Sequence, residues 1–142
     1  MIMTKKYKIL GKYIKDMSSE TPDIETYIFV REYISKYQLN ININSKALKD
    51  KMIEITTILK FEDRDQNKKR SHFEINYSTI VKIEEDIKEK KDVEKIVLCD
   101  VQNEIYPELE KSLLNLLHDS GYPNIKFEKK VDFEELYNQR LN

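Results

Sequence analysis

The sequence predicts an α+β chain: a four-stranded antiparallel sheet followed by a long kinked helix and a short C-terminal helix. Three observations lead there. Apolar residues alternate with a period of two through the first half, and successive side chains of a strand fall on opposite faces. From about Asp92 they recur at steps of three and four, the spacing of one helix face. The connections between the later strands are short and polar, which suits antiparallel hairpins.

The first strand is expected over Tyr7 to Met17, with Gly11 as a bulge or twist point. Residues 18–36 then read as a long crossover loop carrying Ile24, Tyr27, Ile28, Phe29, Val30, Tyr33 and Ile34. That many large apolar groups must cover a core or a partner, since exposing each forgoes about 1.5–3 kcal/mol. In the second strand Tyr37, Leu39, Ile41 and Ile43 alternate with Gln38, Asn40, Asn42 and Asn44, an apolar face backed by an amide face. Ile53, Ile55, Thr57, Leu59 and Phe61 share one side of a third strand; Phe73, Ile75, Tyr77, Thr79, Val81 and Ile83 share one side of a fourth.

The helical stripe is Val93, Ile96, Val97, Val101, Ile105, Leu109, Leu113, Leu116 and Leu117. Asp92 is placed to cap its start, and Gly121 to end it with Pro123 behind. Pro107 lies inside the pattern and should kink or divide the helix near Tyr106. A connecting loop over residues 122–131 leads to a last helix, Asp132 to Leu141, capped by Asp132 and carrying Phe133, Leu136, Tyr137 and Leu141 on one side. Residues 1–142 read as one domain, without internal repeats or low-complexity segments.

Composition excludes several function classes. With 25 basic and 26 acidic side chains the net charge is -1, so there is no basic excess to neutralise a nucleic-acid backbone. The cluster Lys68, Lys69, Arg70 follows Glu62, Asp63, Arg64 and Asp65, and reads as a solvated turn. One cysteine allows no internal disulfide and points to a reducing compartment, the cytoplasm. No apolar run approaches the ~20 residues needed to cross a bilayer, and Met1 to Tyr7 lacks a signal-peptide core, so no membrane insertion is expected. Apolar residues make up 39% of the chain, a low share for a self-sufficient globule, which favours burial at a subunit interface.

Reactive groups are sparse. His72 and His118 fall in separate elements without an evident partner, and Cys99 reads as a small buried hydrophobe. Two glycines in the chain leave no phosphate-cradling loop, and no metal-ligand spacing is present. No enzyme, metal or cofactor is expected. What remains is surface able to hold other chains: sheet edges, the crossover aromatics and the helices.

Three segments point to a family. Tyr13-Ile14-Lys15-Asp16-Met17-Ser18-Ser19-Glu20-Thr21-Pro22 resembles the strand-to-crossover signature of the SecB protein-export chaperones. Asn103-Glu104-Ile105-Tyr106-Pro107 is similar to their helix motif, and Tyr122-Pro123-Asn124-Ile125-Lys126-Phe127 with Val131-Asp132-Phe133-Glu134-Glu135-Leu136-Tyr137 to their closing segment. Order and spacing agree from about Tyr7 to Leu141. Ser19 and Lys130 depart from the family's Phe and Pro, and the near-neutral charge departs from its acidic habit.

The resemblance implies a homotetramer, a dimer of dimers, that holds unfolded precursor polypeptides without ATP and passes them to the motor SecA. It implies polypeptide-binding residues Tyr27, Phe29, Val30 and Tyr33 in the crossover and Phe133, Leu136 and Tyr137 in the last helix, and SecA-binding residues Asp16, Glu20 and Glu74. The long helix is the candidate contact between dimers. Two alternatives stand beside export: a SecB-like chaperone dedicated to an antitoxin of a toxin–antitoxin system, and a small-molecule-binding or catalytic α+β domain, which would need a closed polar pocket.

Overall fold

Among the described residues, four strands, β1 (Tyr7–Glu20), β2 (Gln38–Ala47), β3 (Met52–Glu62) and β4 (His72–Ile83), form one antiparallel sheet in the order β1-β4-β3-β2. The computed structural model describes residues 6–65 and 69–141, without the side chains of Arg140 and Leu141. Lys68 of the expected solvated turn and most of Met1 to Tyr7 therefore lie outside the described residues, as does the side chain of Leu141 from the expected helix stripe.

Register follows the alternation. Ile55 pairs with Thr79, Leu59 with Ile75 and Phe61 with Phe73, so the apolar faces of β3 and β4 coincide and are buried. β1 slips register between Ile9 and Gly11, as Gly11 suggested, and again between Ile14 and Asp16. β1 and β2 are the two edges, each with a neighbour on one side only.

The crossover is not a loop. β1 continues to Glu20, and the chain then forms α1 (Ile24–Tyr33) and a 3₁₀ turn, Ile34–Lys36, before β2. Asp23 starts α1 by accepting the Thr26 N–H at 2.8 Å. Hydrogen bonding from the Thr26 side chain, and then from its N–H, holds the Asp23 carboxyl below its usual pKa.

The long helical segment begins at Lys90, with Glu89 at the cap position and Asp92 inside the first turn rather than before it. It comprises α2 (Lys90–Lys95), a wider π-helical turn over Ile96–Asp100 and α3 (Val101–Asp119). The Val101 N–H donates to Ile96 O, five residues back, and this one extra residue per turn keeps Ile96, Val97, Cys99 and Val101 all buried. The helix is not divided at Pro107. Pro107 and Asn103 are both exposed, so water can serve the Asn103 carbonyl that the proline leaves without a donor.

α3 covers one sheet face. Gln102 is fully buried and donates to Thr57 Oγ1 at 2.9 Å, while Tyr7 donates to Glu104 at 2.7 Å. Burial, then the Glu104 carboxylate, drive the Tyr7 hydroxyl pKa up, so it stays a donor. At the end of α3, Gly121 (φ 108°) sits past the last turn; its N–H donates to His118 O and the Tyr122 N–H to Leu117 O. α4 (Phe133–Leu141) starts as expected, with the Glu135 N–H donating to Asp132 Oδ1 at 3.1 Å.

A candidate polypeptide-binding groove

The seven side chains expected to hold polypeptide divide into two groups. Four lie on α1. Tyr27 packs against Tyr122 with ring centres 5.5 Å apart and donates its hydroxyl to Gly121 O at 2.9 Å, which fastens α1 to the end of α3. It sits so close that a Cβ at Gly121 would fall 2.6 Å from the ring. Val30 is buried at 1% exposure. Phe29 and Tyr33 stack on each other, half-buried, with centres 4.7 Å apart. The other three lie on α4, where Phe133 (2% exposed) packs edge-on to Tyr106 and Tyr137 is also buried, while Leu136 is 45% exposed. Val30, Phe133 and Tyr137 thus pack into the subunit's own core.

Leu136 opens onto a groove of about 910 Å³ that sequence reasoning did not assign. Its inner wall is β2, with Leu39 and Ile41; its outer wall is the 124–131 segment, with Ile125, Phe127 and Val131. The apolar groups of both walls are half-buried. Phe127 is held by Phe61 of the sheet, ring centres 5.6 Å apart, and the segment is tied to α3 by a contact of 3.3 Å between His118 Nε2 and Ile125 O. Farther along β2, a smaller hollow of about 190 Å³ is lined by Ile41, Ile43, Leu98, Phe133, Leu136 and Tyr137. Ile41 and Leu136 line both, so the two adjoin along the strand. The signal was present: Leu39, Ile41 and Ile43 alternate on an outer strand, and Ile125 and Phe127 alternate beside Pro123.

The trough adjoins a sheet edge. Among the described residues β2 pairs with β3 alone, so alternate N–H and C=O groups of β2 point away from the sheet. From Gln38 to Ser45 the strand runs roughly 25 Å at ~3.3 Å per residue, room for an extended segment of about seven residues. Apolar walls with a free main-chain edge can hold an extended chain of many sequences.

Asp16, Glu20 and Glu74 share the sheet face opposite the helices. Ser18 pairs with Glu74, and Asp16 and Glu20 lie two residues to either side on β1. Glu74 is flanked by the Lys60 ammonium at 3.6 Å and the His72 ring at 3.8 Å. Four large apolar residues of β1, Leu10, Tyr13, Ile14 and Met17, are 43–48% exposed along the other edge. Cys99 is buried, and burial raises its pKa, so the thiol is protonated and shielded at neutral pH. Among the described residues no group of His, Cys, Asp and Glu is placed to hold a metal, and no helix is long and apolar enough to cross a membrane.

This arrangement has known relatives. A Pelagibacter ubique protein named "Putative protein-export protein SecB" is 64% identical over 140 residues, covering 99% of this chain and all of that protein. The protein-export protein SecB of Bartonella quintana is 22% identical over 135 residues, 95% of this chain and 84% of its own length. Among solved structures, a Mycobacterium tuberculosis SecB-like chaperone in complex with an antitoxin peptide superposes with a TM-score of 0.61 at 11% identity, over 88% of this chain and 91% of the other. The family described as preprotein translocase subunit SecB matches residues 3–142. With that match and the 64% identical relative, the chain belongs to the SecB family of chaperones.

Proposed function

We propose that this chain is an ATP-independent holdase of the cytoplasm that keeps precursor polypeptides unfolded for Sec-dependent export. The observation that carries this reading is the trough along β2, where Leu39, Ile41, Ile125, Phe127, Val131 and Leu136 present partly exposed apolar surface beside a free strand edge. Several such anchors, each contributing on the order of 1 kcal/mol after binding costs, give useful affinity and still permit release. Phe29 and Tyr33, half-buried on α1, are proposed to extend the surface.

The proposed assembly is a homotetramer, a dimer of dimers. Leu10, Tyr13, Ile14 and Met17 on β1, and Ile24 and Ile28 on α1, supply the unpaired apolar surface for it. The outward face of α3, where Asn103, Glu104, Glu108, Lys111 and Asn115 are exposed, is the proposed contact between dimers. Asp16, Glu20 and Glu74 form the proposed SecA surface. The near-neutral net charge, with the Lys60 ammonium beside Glu74, favours a second reading, a SecB-like chaperone dedicated to an antitoxin. A pull-down from the native cell separates the two, since SecA is retained in one case and an antitoxin in the other.

The test of the holdase reading is Phe127→Ser with Leu136→Ser in an assay of aggregation suppression. The expected outcome is an intact oligomer that protects an unfolded client at least several-fold less well. Unchanged protection without nucleotide removes the groove from the account.

A further inference from the structure

The trough has a charge as well as an apolar lining. Of the residues lining its larger part, Lys126, Lys129 and Lys130 are cationic and Glu128 alone is anionic. All four side chains are exposed, and none of the three ammonium groups has an ion-pair partner within 4.0 Å among the described residues. The facing wall offers one carboxylate, Glu62 of β3, whose Oε1 accepts from Asn40 Nδ2 at 3.0 Å. β2 carries no carboxylate from Gln38 to Ala47, and its amides Asn42 and Asn44 are exposed. On α4, Asp132 accepts the Glu135 N–H as a cap, Glu134 lies on the side toward Cys99, and the Glu135 side chain beside Leu136 is exposed. A chain with a net charge of -1 therefore concentrates positive charge along one wall of its groove.

We propose that this groove selects extended segments in which acidic residues flank the apolar anchors, with Lys126, Lys129 and Lys130 as the residues that set the preference. The inference rests on the holdase reading and names the substrate class of the same trough. An extended segment on β2 turns alternate side chains toward the apolar lining and exposes the residues between them to the lysine wall. Carboxylates there gain favourable Coulomb energy in partly desolvated surroundings, and a basic segment meets like charge. Because the ammonium groups are solvated, the preference weakens with salt, whose screening length is about 10 Å at 0.1 M.

The test uses two unfolded fluorescent peptides with the same apolar anchors, one flanked by Glu and one by Lys, titrated against the full chain by anisotropy. At low salt the Glu-flanked peptide should bind about tenfold more tightly, and the difference should fall to about twofold near 1 M salt. Lys126→Glu with Lys129→Glu and Lys130→Glu should reverse the order while leaving the thermal transition in place, since these side chains are exposed. Equal binding of both peptides, or tighter binding of the Lys-flanked one by the unmodified chain, overturns the preference and leaves the holdase reading standing. Failure of both peptides to bind overturns the two together.

Discussion

Two regions of this molecule carry similar apolar side chains and use them in opposite ways. At the seam between α1 and the end of α3, Tyr27, Tyr122 and Phe73 stack in series, with ring centres 5.5 and 5.7 Å apart, and Gly121 admits the Tyr27 ring at a distance no side chain would allow. Along β2, Phe127 and Leu136 touch the core from one side and leave the other open. The sharpest form of the contrast lies within α4. Phe133 and Leu136 are one helical turn apart, yet one is 2% exposed and the other 45%. Hydrophobicity decides that both seek cover; which of them finds it within the chain decides which stays accessible.

The largest effect that can break this comparison is expected from Phe133→Ala, which empties a core site against Tyr106 and should cost about 3–5 kcal/mol in urea unfolding. Client binding should survive under conditions where the variant stays folded. Gly121→Ala comes next. Its φ of 108° and the Tyr27 ring in its path together predict a loss of about 2–3 kcal/mol. Tyr27→Ala in the same chain should relieve the steric share and leave the conformational one, so the two substitutions combine to less than their sum. The smallest stability change belongs to Leu136→Ser, less than about 1 kcal/mol for a half-exposed side chain, while its effect on client binding should exceed that of Phe133→Ala. A reversed ranking for binding would merge the two regions into one.

Much of the fold was legible because alternation and caps are local. β2, β3 and β4 follow from period-two runs, Gly121 from the need for a positive φ after α3, and α4 from Asp132. α1 was hidden because Ile24, Tyr27, Ile28, Phe29, Val30, Tyr33 and Ile34 place apolar groups around much of a helix, so no single stripe stands out. Its signal was Asp23, an N-cap residue placed directly after Pro22. The turn at Ile96–Asp100 left no mark, since an apolar stripe tolerates one extra residue, whereas Pro107 marked a position where solvent exposure makes the lost bond tolerable. The site was legible in residue type and less so in position. Leu136 opens on the groove, but Val30 and Phe133 cannot be told from it by periodicity, because burial depends on which element lies opposite. The β2 wall was visible as an apolar face; that it borders the groove depends on β2 being an edge, a property of topology.

The most direct test of the central claim, that clients lie along β2 between the strand and the 124–131 segment, is site-specific photocross-linking with an unfolded precursor. A photoreactive side chain is placed in turn at Ile41, at Phe127 and, on the opposite sheet face, at Ile58. The account predicts cross-links from Ile41 and Phe127 and little from Ile58; strong cross-linking from Ile58 with none from Ile41 or Phe127 would contradict it.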